Sequence, residues 1–109
     1  MNDISKHLKE TMNVQKSGSM SFQGVRPRII CQDGESVSIQ AGRFAYSAPR
    51  EDGLSNYSAV EAGFPSVAPP DSWLEYAEDV EELTTTVYAW VPVEIAQEFI
   101  DAHDGIKEK

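Results

Sequence analysis

The chain has 109 residues, 40% of them hydrophobic and 25% charged, a balance that fits one modest globular domain and excludes wholesale disorder. Its apolar runs fall far short of the roughly 18 residues a membrane span needs, and its N-terminus lacks the apolar core and cleavage pattern of a secretory signal. A single cysteine excludes an intrachain disulfide, and a net charge of −9 disfavours direct binding to nucleic acid, so the expectation is a soluble cytoplasmic protein.

Residues 3–12 read as a short helix with Asp3 as N-cap and Ile4, Leu8 and Met12 on one apolar stripe. A helix this short is marginal alone, so it either docks on the domain, docks on a partner, or frays. Residues 16–24 are rich in Gly and Ser and read as a linker. The domain organisation expected is therefore an N-terminal helix and linker over 1–24, a single domain over 25–105, and a short tail over 106–109.

Residues 27–32 and 35–41 carry a hairpin signal around Asp33-Gly34. A two-residue turn would scatter Ile29 and Cys31 onto the face of Ser36 and Ser38. A three-residue loop, Gln32-Asp33-Gly34, instead pairs Ile29 with Val37 and gathers Ile29, Cys31, Val37 and Ile39 on one face. A one-residue slip swaps every side chain's face, so the three-residue loop is predicted, with Gly34 left-handed in a bulge. Gly42 marks a bulge or bend, beyond which Phe44 and Tyr46 continue the strand. Residues 47–56 read as a loop. Residues 57–64 read as a strand with Val60, Ala62 and Phe64 on one face, ended by Pro65, Pro69 and Pro70.

Residues 72–82 read as a helix. Ser72 and Glu75 fit a capping box, and Trp73, Ala77, Val80 and Leu83 make an apolar stripe. Residues 84–91 have the strongest strand propensity, with Val87, Ala89 and Val91 facing one way and Tyr88 and Trp90 the other. Pro92 suits a helix start, Ile95, Ala96, Phe99 and Ile100 follow at helical spacing, and Gly105 is a natural stop. The fold class expected is α+β: a mostly antiparallel sheet of three to five strands, a C-terminal helix on one face, and a short acidic helix.

The charge is sharply divided. Residues 1–50 hold seven Lys or Arg against four Asp or Glu, whereas residues 51–106 hold thirteen Asp or Glu and no Lys or Arg. Lys and Arg make up roughly an eighth of an average protein, so an empty window of this length is patterned. An acidic face can serve solubility alone. It can also imitate the phosphates of a nucleic acid and occupy a basic groove, through attraction that is long-ranged and salt-sensitive. The candidates are Glu75, Glu78, Asp79, Glu81 and Glu82 on one helix and Glu94, Glu98 and Asp101 on the other. Tyr88 or Trp90 would supply an aromatic anchor if either is exposed, and core if not.

Other chemistry is poorly represented. His7 and His103 lie far apart with no cysteine at ligand spacing, and no EF-hand, Walker, dinucleotide or nucleophile-elbow pattern occurs, so no metal, cofactor or catalytic residue is assigned. Cys31 reads as a buried strand cysteine. His103 suits a helix C-terminus. Arg26, Arg28, Arg43 and Arg50 form an alternative ligand site for a phosphate or nucleotide, or balance the acidic half in ion pairs.

The segments RPRIICQDG (26–34), SVSIQAG (36–42), YSAPR (46–50), VEAGFPS (60–66) and VYAWVPVE (87–94) resemble blocks in small uncharacterised proteins of bacteriophages and prophages. That resemblance spans roughly residues 26–105 and carries no mechanism residue by residue. It implies a class that includes inhibitors of host defence, anti-CRISPR proteins among them. The functional expectation is a non-enzymatic phage-type inhibitor that binds a host protein with a basic nucleic-acid-binding surface. The alternatives are a nucleotide- or signal-binding module built on the arginines, or a phage structural or assembly accessory. Oligomeric state, including a homodimer, is left open.

Overall fold

A computed structural model describes residues 3–10, 27–42, 45–48 and 57–107. Among these the order is α1 (Asp3–Glu10), β1 (Ile29–Ile30), β2 (Ser36–Gln40), β3 (Ala59–Gly63), a 3-10 helix (Asp71–Tyr76), β4 (Val87–Pro92) and α2 (Val93–Ala102). The four strands form one antiparallel sheet in the order β1-β2-β3-β4, and the class is α+β.

The hairpin follows its hydrophobic pattern. Ile29 pairs with Val37 and Ile30 with Ser36, and Ile29, Cys31, Val37 and Ile39 are all buried. Gly34 takes φ +95°, and its N–H donates to Cys31 O at 2.9 Å, closing the three-residue loop. The opposite sheet face carries Ser36, Ser38 and Gln40, with Ile30 exposed on the first strand.

The inward face of the sheet is covered by α2. Ala96, Phe99 and Ile100 are buried against Val60, Ala62, Tyr88 and Val91. Pro92 ends β4 and N-caps α2 with no intervening loop, and Val93 N–H donates to Ser58 O at 3.1 Å. Past the helix, Asp104 at φ +71° and Gly105 at φ +88° reverse the chain. Their N–H groups donate to Asp101 O at 3.3 Å and Ile100 O at 2.9 Å, which satisfies carbonyls the helix end would otherwise leave open. Helix α1 docks on α2. Ile4 and Leu8 are buried in the common core, and Ile4 N–H donates to Gln97 Oε1 at 3.0 Å. Met12, the third residue of the predicted stripe, lies outside the described residues.

Four expectations are corrected, the last of them on β4. Strand β2 ends at Gln40, and Ala45 and Tyr46 lie in a bend, so Tyr46 does not prolong the strand; Phe44 lies outside the described residues. Phe64 is not core: it follows β3 at φ +49° and is 49% exposed, since the chain turns there to place Phe64 N–H on Thr86 O. The predicted helix over 72–82 is a single 3-10 element that stops at Tyr76. Ala77 is extended and bridges to Tyr88, and Glu78 N–H donates to Val87 O at 3.0 Å. Backbone pairing with β4 replaces helical hydrogen bonds at that point. Ser72 does not cap; its hydroxyl donates to Glu98 Oε1. Val80, expected on the apolar stripe, is 60% exposed.

Strand β4 carries a bulge that the alternation did not reveal. Val60 pairs with Val91 and Ala62 with Tyr88, so one β3 residue, Glu61, faces two on β4, Ala89 and Trp90. The extra residue breaks the predicted two-face pattern. Tyr88 and Val91 both point into the core, while Trp90 sits at φ +50° and is 49% exposed.

Candidate functional site

The acidic candidates lie on three supports: α2, the 3-10 helix and the run of turns that follows it. Glu94 and Glu98, with Asp101, project from the solvent side of α2, all exposed, because the opposite stripe of that helix is buried. Glu75 is exposed on the 3-10 helix, which is fixed to α2 by Trp73. The Trp73 side chain is fully buried; its indole N–H donates to Ile95 O at 2.8 Å, and its ring packs on Phe99 with centroids 5.6 Å apart. An edge contact to Tyr88, centroids 5.2 Å apart, ties the same ring to β4.

Two further contacts place Glu75 beside the carboxylates of α2. Ser72 Oγ–H donates to Glu98 Oε1, and Tyr76 is hydrogen-bonded to Glu75 and feels the charge of Glu94. Its phenol is held above the usual range chiefly by desolvation, then by a hydrogen bond to Glu75 and by the charges of Glu75 and Glu94. Glu75, Glu94 and Glu98 therefore share one surface across the 3-10 helix and α2. Asp101 continues it along α2, where its carboxylate accepts from Gln97 Nε2 at 3.0 Å.

Glu78, Asp79, Glu81 and Glu82 are also exposed, but on a run of turns rather than a helix. The turns are tied down. Asp79 Oδ1 accepts from Glu81 N–H at 2.9 Å, Thr86 Oγ1 accepts from Asp79 N–H at 3.1 Å, and Thr85 Oγ1 donates to Glu82 Oε1 at 3.1 Å. The buried Tyr88 hydroxyl donates to Leu83 O, and burial raises its pKa. Tyr88 is thereby excluded as a surface anchor, and Trp90 is available as one.

Trp90 lies over the sheet face opposite α2. Glu61, between buried Val60 and Ala62, points to that face. Its Oε1 accepts from Tyr46 N–H at 3.0 Å, Trp90 N–H donates to Tyr46 O at 3.0 Å, and the two rings tilt together with centroids 5.0 Å apart.

Of the arginines, Arg28 alone is described. Its guanidinium donates to Ser36 Oγ at 3.0 Å and to Phe64 O at 2.7 Å, so it fastens the outer sheet face to the end of β3. Arg26, Arg43 and Arg50 lie outside the described residues.

One pairing had no sequence signal. His103 Nδ1 lies 2.7 Å from Asp33 Oδ2, linking the end of α2 to the hairpin loop, and its ring packs on Phe99. Asp33 is held below the usual carboxylate range, first by Glu35 N–H on its Oδ1 and next by His103. Among the described residues no three His, Cys, Asp or Glu side chains are grouped to hold a metal ion, and no helix is long and apolar enough to cross a membrane. Comparison with known proteins finds no matching family model, no curated relative and no similar solved structure.

Proposed function

We propose that the chain is a non-enzymatic protein-binding module whose acidic surface occupies a basic, nucleic-acid-binding surface on a partner. The supporting observation is the contact of the 3-10 helix with α2 through Ser72–Glu98 and Trp73–Ile95, which sets Glu75, Glu94 and Glu98 on one frame. Carboxylates fixed on packed elements lose little conformational freedom on binding, and their summed field steers a basic partner. The block resemblance supplies the setting proposed: a phage-type inhibitor of a host defence complex, acting in the host cytoplasm by mimicking nucleic acid.

The arginine-based nucleotide site has less behind it, because Arg28 already commits its Nε and Nη2 donors to Ser36 and Phe64. The test is capture of host proteins at low and high salt, with duplex DNA as competitor, using the wild type and Glu75→Lys/Glu94→Lys/Glu98→Lys. Capture of a nucleic-acid-binding complex that high salt, DNA and charge reversal each abolish supports the reading. Capture indifferent to salt or to the reversal sinks it.

A further inference from the structure

An unbroken β4 would carry Tyr88 and Trp90 into the core together, because residues two apart share a face. The bulge separates them. It sends Val91 inward and holds Trp90 left-handed at φ +50°, a conformation that bulky residues rarely adopt. The indole is then fixed outside rather than left loose: its backbone bonds to Tyr46, its ring rests on the Tyr46 ring, and Tyr46 is held by Glu61. Backbone strain that yields a positioned, half-exposed aromatic points to use of that aromatic.

We propose that Trp90, Tyr46 and Glu61 form a docking point for an arginine side chain of the basic protein partner, an inference that rests on the reading above. The indole is the strongest cation-attracting ring among side chains. A guanidinium stacks on such a ring while its fork of donors reaches a neighbouring carboxylate, which a compact, strongly hydrated ammonium does less well. A purely apolar partner would bury the Glu61 carboxylate without a counter-charge, and an anionic one would meet a chain of net charge −9. The docking point and the acidic ridge lie on opposite sides of the sheet and separate by mutation.

Hexa-arginine and hexa-lysine peptides serve as probes. The chain has two tryptophans, and the other, Trp73, is fully buried, so a peptide-induced change in exposed-tryptophan emission reports Trp90. At salt high enough to screen long-range attraction, hexa-arginine should bind more tightly than hexa-lysine and shift the emission. Trp90→Leu should abolish the shift and weaken hexa-arginine binding roughly two- to five-fold, the yield of an exposed cation–π contact. Glu61→Gln, which keeps an oxygen for Tyr46 N–H, should weaken it as well.

Circular dichroism and the thermal midpoint check that each variant is folded. A folded Trp90→Leu that binds hexa-arginine as the wild type does overturns the inference, as does binding that leaves the wild-type emission unmoved. A Glu75→Gln/Glu94→Gln/Glu98→Gln variant separates the two readings. If it lowers low-salt affinity while Trp90→Leu changes nothing, the docking point alone is wrong. If it changes nothing while Trp90→Leu weakens binding, the ridge reading fails and the docking point stands.

Discussion

Trp73→Ala is the most informative single perturbation, because one buried ring holds the 3-10 helix to both α2 and β4. A tryptophan buries on the order of 200 Å². At about 25 cal/mol per Å² that is worth roughly 5 kcal/mol, an upper figure because the unfolded chain also hides some surface. Truncations of this kind cost about 3–5 kcal/mol, so the two routes agree. A domain of this size holds only about 5–15 kcal/mol in total. At no less than about 4 °C per kcal/mol, the midpoint should fall by more than about 10 °C. Urea and thermal unfolding followed by circular dichroism measure this. Trp73→Phe should cost less, since it keeps most of the packing and loses chiefly the bond to Ile95 O, worth about 1 kcal/mol. If Trp73→Ala costs under about 1 kcal/mol, the 3-10 helix is not docked as described and the joined ridge has no frame.

Phe64→Gly should change stability by less than about 1 kcal/mol, because a half-exposed, left-handed phenylalanine gives up strain about as it gives up packing; a loss above about 3 kcal/mol would mean the ring is core after all. Gly34→Ala should cost about 1–2 kcal/mol with no steric clash, since a Cβ there meets nothing within 4 Å and only the φ of +95° is at issue; Gly34→Asn should cost less, and equal costs would contradict that account. Asp33 has a depressed pKa when folded, so its contribution is present above the unfolded value of 3.8 and lost as pH falls through the lower folded value. Asp33→Asn should therefore flatten acid unfolding in that window, and a curve identical to the wild type's would refute the assignment. Tyr88 has a raised pKa when folded, so stability should decline as pH climbs above 10, and Tyr88→Phe should remove that part of the decline.

The hairpin and α2 were legible because burial follows their periodicity. Placing Ile29, Cys31, Val37 and Ile39 on one face admits a single register, and the chain adopts it. The exposed positions of Glu94, Glu98 and Asp101 follow in the same way from Ala96, Phe99 and Ile100. The segment after Trp73 was not legible, because its outcome is decided by a strand that comes later in the chain. Ser72 and Glu75 have the spacing of a cap, but Ser72 finds Glu98 and residues 77–78 find β4. The bulge was hidden for another reason. Left-handed positions are ordinarily signalled by glycine, and here Trp90 occupies one, in a stretch apolar on both faces that offers alternation nothing to resolve. The His103–Asp33 link joins residues seventy positions apart and depends on α2 ending beside the hairpin loop.

How the chain can associate follows from what its own backbone already covers. Beyond β1, Cys31 bridges to Ile106, and Lys107 N–H donates to Ile30 O at 2.8 Å. Beyond β4, Ala77 bridges to Tyr88 and Glu78 N–H takes Val87 O, and the bulge then turns Trp90 N–H onto Tyr46. Among the described residues, both edges of the sheet are thus occupied or bent away in part, which reduces the usual template for adding a strand from another chain. That leaves, among the described residues, the side chains on the two sides of the sheet for association. On the helical side, carboxylates of the 3-10 helix and α2 project to solvent; on the other, Trp90 stands proud beside Glu61. A side-chain interface of this composition has a distinct salt signature. The carboxylate contribution should fade as ionic strength rises and the Debye length shrinks below the separation of the charges. A stacked Trp90 contact is short-ranged and should persist. Affinity for a basic partner should therefore fall with salt to a plateau above zero, and Trp90→Leu should lower that plateau roughly two- to five-fold while leaving the slope. Affinity that falls to nothing in the wild type, or a plateau that Trp90→Leu leaves unchanged, would show that the two sides do not divide the work in this way.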